Sequence, residues 1–131
     1  MLVVDDEPIM LRTLGRIMKK WHPDWEVCGV ETGEAALALL ERQPVDVLVT
    51  DLRMSGMQGR TLLQLCRTHH RKVIRVVHSA QVDSLPPDAD PPLAHRRVAK
   101  PASTRELLAA LEWAVEAAVV RRRPNGNSAS M

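Results

Sequence analysis

The fold is decided by the stretch Val45-Asp46-Val47-Leu48-Val49-Thr50-Asp51, an apolar, β-branched run that ends on a carboxylate. A second run of the same kind, Val73-Ile74-Arg75-Val76-Val77-His78-Ser79, follows later in the chain. Nearly continuous apolar runs of this length are typical of strands that are covered on both faces, as in a parallel sheet. We therefore predict buried parallel strands over Val45–Thr50 and Val73–His78.

Shorter β-rich segments and segments of helical period flank these two strands. Further strands are predicted over Leu2–Asp5, Trp25–Val30 and Arg96–Ala99. Helices are predicted over Pro8–Trp21, Thr32–Leu40, Gly59–His69 and Ser103–Val120, the last opening on a Ser-x-x-Glu capping box. This alternation predicts an α/β fold, a doubly wound five-stranded parallel sheet with helices on both faces.

The segment between the fourth and fifth strands has an irregular composition. It contains Pro86, Pro87, Pro91 and Pro92, each of which lacks a backbone donor and disfavours helix in the preceding residue. The fourth helix is therefore predicted to be degenerate, a turn or two near Gln81–Leu85 or absent. Residues 122–131 are polar and are predicted to form a disordered tail, which leaves residues 1–121 as a single domain.

Length and composition set the class of protein. The 131 residues are 45% apolar and 26% charged, the balance of one folded globular domain. No apolar run approaches the roughly 20 residues that cross a bilayer. Cys28 and Cys66 have neither a disulfide framework nor metal-ligand spacing, which predicts a reducing, cytoplasmic location. A net charge of +2 and the lack of Phe and Tyr argue against nucleic-acid binding.

Four of the predicted strands end on polar residues. The first ends on Asp5-Asp6-Glu7, the third on Asp51, the fourth on Ser79 and the fifth on Lys100-Pro101. Ligands of open α/β sheets bind outside the carboxyl ends of the strands, so these side chains are predicted to converge. Taken singly, each has an ordinary interpretation as a helix cap, a turn residue or a solvated lysine. Their joint occurrence at four strand ends favours a site.

The charges of this cluster indicate its chemistry. Two carboxylates about 5 Å apart repel by roughly 3 kcal/mol at an effective dielectric near 20, so three of them need compensating cations. Lys100 supplies one positive charge, and the oxygen ligands suit a hard divalent ion, Mg²⁺. Beside two such cations a carboxylate can attack phosphorus, because the charge on the transferring oxygens is neutralised.

Over about residues 1–120 the chain resembles the receiver domain of two-component response regulators. The motifs that carry the resemblance are Asp5-Asp6, Val49-Thr50-Asp51-Leu52-Arg53-Met54, Ser79-Ala80 and Lys100-Pro101. The resemblance implies a flavodoxin-like strand order, 2-1-3-4-5, and signalling by protein–protein contact. It implies a sensor histidine kinase or phosphotransfer protein as a partner, with no direct contact to nucleic acid or membrane. The segments Asp51–Met54, Ser79–Gln81 and Ala94–Pro101 resemble in particular receivers linked to HDOD or HD-GYP output domains.

The resemblance also implies a role for each site residue. Asp51 is the phosphoacceptor, Lys100 pairs with the phosphoryl group, and the hydroxyl of Ser79 reports its presence. A Mg²⁺ ion is expected to be held by the carboxylates of Asp6 and Asp51, the backbone carbonyl of Arg53 and, through water, Asp5. Such a protein is a phosphoacceptor with self-phosphorylation and self-dephosphorylation chemistry, not an enzyme acting on an external substrate.

The resemblance also implies details of the backbone, and the chain departs from the family at two positions. The Lys100-Pro101 peptide is expected to be cis, and Gly56 and Gly59 fit the turn after the phosphoacceptor. Family members usually have an aromatic residue three positions before the lysine, where this chain has Arg97, and Ser55 replaces a frequent proline. Because position 97 has no aromatic ring, phosphorylation is predicted to reorder residues 81–94 through the hydroxyl of Ser79.

Other functions stay open at this point. A pseudo-receiver would keep the acidic cluster as a relic and bind partners without phosphorylation. A phosphohydrolase of the haloacid dehalogenase type also forms an aspartyl-phosphate, but usually has a second Asp two residues later, where this chain has Arg53. Trp113 lies away from the predicted core face of the last helix. It either packs flat over neighbouring side chains or forms a homodimer or output-partner surface.

Overall fold

Five parallel strands form one sheet in a computed structural model that describes residues 1–85 and 92–122. The strand order is β2-β1-β3-β4-β5, as predicted. The strands are β1 (Leu2–Val4), β2 (Cys28–Val30), β3 (Val47–Thr50), β4 (Ile74–Ser79) and β5 (Arg96–Ala99). Every residue of β1, β3 and β4 is buried, which agrees with their apolar sequences.

Within the described residues, four helices cover the two faces of this sheet. They are α1 (Pro8–Trp21), α2 (Gly33–Arg42), α3 (Gly59–His69) and α4 (Thr104–Arg122). The core has two halves, one between the sheet and α2 and α3, the other between the sheet and α1 and α4. None of the described helices is long and apolar enough to cross a membrane.

The helix starts follow the predicted capping. Thr32 Oγ1 accepts a hydrogen bond from the Ala35 N–H at 3.0 Å and caps α2. Before α4, Ser103 Oγ accepts from the Glu106 N–H at 3.1 Å, and Glu106 Oε1 accepts from the Ser103 N–H at 3.4 Å. The predicted capping box is therefore formed.

Strand β2 is shorter than the predicted Trp25–Val30. The ring of Trp25 stacks on His22 with centroids 3.9 Å apart, so this part of the chain still belongs to the turn after α1. The N-terminal ammonium of Met1 donates to the Glu26 carbonyl, and the Cys28 N–H then donates to the Met1 carbonyl. Leu2, the first residue of β1, pairs with Cys28, so β2 begins at Cys28.

Between β4 and β5 the described residues contain one 3-10 turn, Val82–Ser84, called here the 82–84 turn. This confirms the prediction of a degenerate fourth helix near Gln81–Leu85. Residues 86–91, with three of the four prolines, lie outside the described residues. Arg122 is the last residue of α4, and the rest of the predicted tail, residues 123–131, also lies outside them.

Candidate functional site

The carboxyl ends of β1, β3 and β5 meet around one ammonium group. Lys100 Nζ lies 2.7 Å from Asp51 Oδ2, 2.8 Å from Asp5 Oδ2 and 3.4 Å from Glu7 Oε1. Carboxylate oxygens of Asp5, Glu7 and Asp51 lie within 4.8 Å of one another. The structure thus brings together Asp5, Asp51 and Lys100, three of the residues expected at this sheet edge.

Strand pairing positions these side chains. The Asp51 N–H donates to the Val4 carbonyl at 3.1 Å, which fixes the end of β3 beside β1. The Lys100 N–H donates to the Ser79 carbonyl at 3.0 Å, which fixes the end of β5 beside β4. Because the strands are parallel, all their carboxyl ends lie at this one edge.

The two oxygens of the Asp51 carboxylate have different partners. Oδ1 accepts from the backbone N–H groups of Leu52 at 2.6 Å and Arg53 at 3.2 Å, while Oδ2 faces Lys100. The side chain of Asp51 is 10% exposed. Burial by itself would raise its pKa, but the hydrogen bonds from Lys100, Ser79 and the Arg53 N–H outweigh burial, so the pKa of Asp51 lies below its usual value. Asp51 is therefore ionised at neutral pH.

The charge of Lys100 is fixed in the same way. Burial would lower its pKa, but hydrogen bonds to the Asp5 and Asp51 carboxylates outweigh burial and raise it. Asp5 is itself held by a hydrogen bond from the Glu7 N–H to its Oδ1 at 2.9 Å. The site is thus a largely buried ammonium, 12% exposed, between two carboxylates, with a third carboxylate at its solvent side.

Two carboxylates of the Asp5-Asp6-Glu7 run differ from the expectation. Asp6 Oδ2 accepts from the N–H of Ser55 at 3.2 Å and from its hydroxyl at 3.5 Å, so Asp6 faces the loop after β3 and is not one of the three clustered carboxylates. Glu7 takes that third place; the sequence placed it among the converging side chains but assigned it no ligand role. Its adjacency to Asp5 was the available signal, but a side chain 64% exposed is free to point elsewhere.

Glycines shape the loop after Asp51. Gly56 has a φ of 73°, a conformation that disfavours L side chains. Gly59 packs directly against the Asp51 main chain, where a Cβ would lie 1.8 Å from the Asp51 carbonyl oxygen. Both glycines occupy the positions expected of them, and the Lys100-Pro101 peptide is cis as expected.

Ser79 is fully buried at the end of β4. Its Oγ accepts from the Gln81 N–H at 3.0 Å, and Ser79 is among the groups that lower the pKa of Asp51. The neighbouring His78 is also buried, and its Nδ1 has no hydrogen-bond partner in the described part of the chain. Burial, followed by the nearby Lys100 charge, lowers the pKa of His78, so this ring is neutral.

Arg97 and Trp113 were singled out from the sequence, and both make specific contacts. Arg97 Nη1 donates to the backbone carbonyls of Val82, the first residue of the 82–84 turn, and of Leu85, the residue that follows it. Trp113 packs against the half of the core between the sheet and α1 and α4. The Arg96 guanidinium lies 3.5 Å from the centroid of the Trp113 ring. This contact agrees with the first of the two alternatives for Trp113, in which its ring packs flat against neighbouring side chains.

The arrangement has the parts of a phosphoryl-accepting site. It contains an ionised carboxylate with low exposure, a fixed ammonium beside it and the buried hydroxyl of Ser79 at the end of the adjacent strand. The clustered carboxylate oxygens are hard ligands of the kind that Mg²⁺ prefers. The two positions after Asp51 provide backbone N–H groups but no second carboxylate.

Comparison with known proteins gives a consistent family. A family model described as the response regulator receiver domain matches residues 1–112. The curated heme response regulator HssR of Staphylococcus aureus (strain JH9) is 45% identical over 67 residues, which are 51% of this chain and 28% of that protein. HssR of strain USA300 matches to the same extent. The chain thus matches well under half the length of these relatives.

Solved structures agree on the fold. The signal receiver domain of an HD domain-containing protein from Pseudomonas fluorescens Pf-5 has a TM-score of 0.76 at 23% identity, covering 91% of this chain and 95% of that one. Response regulator TrrA from Thermotoga maritima, solved in complex with Mg²⁺-BeF, has a TM-score of 0.76 at 24% identity, covering 86% and 96%. At these identities the likeness establishes the architecture alone.

Proposed function

Because the chain belongs to the response regulator receiver family, we propose that Asp51 accepts a phosphoryl group from a phosphohistidine and that the protein signals through protein–protein contact. The donor is a sensor histidine kinase or a phosphotransfer protein, and the location is the cytoplasm. The observation that carries this proposal is the 2.7 Å contact between Lys100 Nζ and Asp51 Oδ2 at low exposure. This contact keeps the carboxylate ionised and supplies a cation to the incoming phosphoryl oxygens.

The proposed step is a displacement at phosphorus. An Asp51 oxygen forms the new P–O bond, the P–N bond of the phosphohistidine breaks, and the imidazole leaves with the electron pair. Lys100 balances the charge of the phosphoryl oxygens, and the Ser79 hydroxyl donates to one of them. The N–H groups of Leu52 and Arg53 hold the other carboxylate oxygen and orient Asp51.

The residues at this edge fit a magnesium ion. Three carboxylates already lie within 4.8 Å of one another, and one ammonium does not neutralise them. The family resemblance assigns the ion to the Asp6 and Asp51 carboxylates and the Arg53 backbone carbonyl, with Asp5 acting through water, and we keep this assignment although Asp6 contacts Ser55 and lies outside the cluster. When bound, Mg²⁺ supplies positive charge for the oxygens of the transferring group.

Two other functions are less well supported. A haloacid dehalogenase mechanism needs a general acid two residues after the nucleophile, and Arg53 has no titratable carboxyl there. A phosphorylation-independent interaction module would place no requirement on the partners of Asp51. Yet both Asp51 oxygens have specific partners, backbone N–H groups at Oδ1 and the Lys100 ammonium at Oδ2.

Acetyl phosphate and p-nitrophenyl phosphate, each supplied with Mg²⁺, distinguish these functions. The proposal expects phosphoryl incorporation from the first compound and no steady release of p-nitrophenolate from the second. Asp24→Asn, at an exposed carboxylate away from the site, is the matched control for Asp51→Asn. Steady p-nitrophenolate release would favour the phosphohydrolase, and partner binding that ignores both acetyl phosphate and Asp51→Asn would favour the interaction module.

A further inference from the structure

The turn that follows Ser79 is held by a side chain of β5. Arg97 Nη1 donates to the carbonyl oxygens of Val82 at 3.2 Å and Leu85 at 3.0 Å, which lie at the two ends of the 82–84 turn. Both acceptors belong to the main chain, and hydrogen bonds from an ionised donor are stronger than neutral ones. Arg97 therefore fixes the backbone of this turn relative to β5.

Both sides of this connection lead back to Asp51. On one side, the turn begins after Gln81, whose N–H donates to Ser79 Oγ at 3.0 Å, and the Ser79 carbonyl accepts from the Lys100 N–H at 3.0 Å. On the other side, β5 runs from Arg97 to Lys100, which donates to Asp51 at 2.7 Å. The contacts thus form a closed circuit around the site. Its members are Ser79, Gln81, the 82–84 turn, Arg97 and Lys100, and Lys100 joins it to Asp51.

The neighbouring arginine of the same strand is outside this circuit. Arg96 is exposed and its guanidinium lies over the Trp113 ring of α4, on the other face of the sheet. Arg96 and Arg97 thus differ in partner but share strand, charge and side-chain length. Arg96 therefore provides a matched control for Arg97.

Resting on the proposed phosphorylation of Asp51, we propose that Arg97 is a positioning residue that holds the 82–84 turn in the arrangement described above and opposes its rearrangement through Ser79. The physical reason is linkage. Contacts that stabilise one arrangement lower the affinity of any ligand that favours the other, by the free energy of those contacts. The Arg97 guanidinium, which is hydrogen-bonded to two carbonyls, thus sets how readily a phosphoryl group at Asp51 rearranges the 82–84 turn.

The test uses beryllofluoride with Mg²⁺ as the probe, with affinity measured by fluorine NMR. Arg97→Met keeps the aliphatic stem of the side chain and removes the donors. We expect it to bind beryllofluoride about three- to tenfold more tightly than the wild type, a coupling of ordinary size, while Arg96→Met stays within about twofold. In a Ser79→Ala background the gain from Arg97→Met should disappear, because the circuit is already open.

Amide exchange of residues 81–85 gives a second readout that needs no phosphoryl analogue. Exchange should be faster in Arg97→Met than in the wild type and unchanged in Arg96→Met. Unchanged or weaker beryllofluoride affinity in Arg97→Met, or a gain that persists with Ser79→Ala, would overturn the proposal. A wild-type protein that binds no beryllofluoride contradicts the proposed function instead, and amide exchange then decides whether Arg97 holds the turn.

Discussion

Gly59 lies so close to Asp51 that a Cβ at position 59 would stand 1.8 Å from the Asp51 carbonyl oxygen. The Gly59 N–H also donates to the Leu52 carbonyl at 2.9 Å. The first residue of α3 therefore packs directly on the loop that carries the proposed phosphoacceptor. The absence of a side chain at Gly59 is what allows helix and loop to approach.

Gly59→Ala should be strongly destabilising. The atoms that its methyl group meets are main chain and cannot rotate aside, so we expect the free energy of unfolding to fall by about 3 kcal/mol or more. Urea denaturation measures this. Gly15→Ala is the control: nothing lies within 4 Å of a Cβ there, and alanine in a helix should stabilise by about 0.5–1 kcal/mol. Equal effects of the two substitutions would contradict the close packing at Gly59.

A buried cation supports the approach to β5. The Arg75 side chain is 2% exposed and donates to the carbonyls of Val73 at 3.1 Å, Pro92 at 2.7 Å and Leu93 at 2.9 Å. Arg75→Met leaves these acceptors unsatisfied and should lower the free energy of unfolding by about 2–4 kcal/mol. Arg121→Met, at an exposed arginine bonded to one carbonyl, should cost under about 1 kcal/mol. A comparable loss in both variants would mean that burial of Arg75 is unimportant.

His95 gives the protein a defined acid sensitivity. Burial and the nearby charges of Arg75 and Arg121 lower its pKa from 6.5 to about 4. The unfolded chain therefore binds the extra proton first, and the contribution of His95 to stability is complete above pH 6.5 and is lost as the pH falls toward 4. Urea midpoints of His95→Gln should fall less steeply over this window than those of the wild type. Parallel pH profiles would refute the assignment.

The acidic residues should contribute unequally to metal affinity. We expect Asp6→Asn to weaken Mg²⁺ binding by roughly tenfold or more because it removes an assigned ligand. Glu7→Gln should have an effect below about threefold, because the Glu7 side chain is 64% exposed and is the most distant of the three carboxylates from Lys100. Calorimetric titration of both variants measures the difference. The reverse order would mean that Glu7, not Asp6, holds the ion.

Trp113 should act in folding rather than in association. Its ring packs on the core and carries the Arg96 guanidinium at 3.5 Å, so Trp113→Ala should lower the free energy of unfolding by about 1–3 kcal/mol. The mass in sedimentation should be the same as that of the wild type. A wild-type dimer that dissociates on this substitution would instead support a homodimer through the last helix.

The sequence predicted what depends on local pattern and on parallel topology. The buried strands, the caps at Thr32 and Ser103 and the meeting of Asp51 with Lys100 all follow from hydrophobic runs, capping residues and strand ends. The sequence did not predict where flexible or long side chains point. Arg97 bonds to carbonyls of a separate turn, a contact that tertiary packing creates.

The same limit applies to Asp6 and Glu7. Both follow the same strand, and local sequence does not distinguish which carboxylate turns toward Lys100. Ser55 sets the choice, because its N–H and hydroxyl donate hydrogen bonds to the Asp6 carboxylate from the loop after β3. The length of strand β2 was also overestimated, because it depends on where β1 begins and not only on the residues of β2.

Phosphorylation of Asp51 is the central claim, and intact-mass spectrometry after incubation with acetyl phosphate and Mg²⁺ tests it most directly. The wild-type protein should gain the mass of one phosphoryl group, and the gain should need Mg²⁺ and be absent from Asp51→Asn. Asp24→Asn should behave as the wild type does. A wild-type mass that does not change, or a phosphoryl group that Asp51→Asn still acquires, would contradict the account.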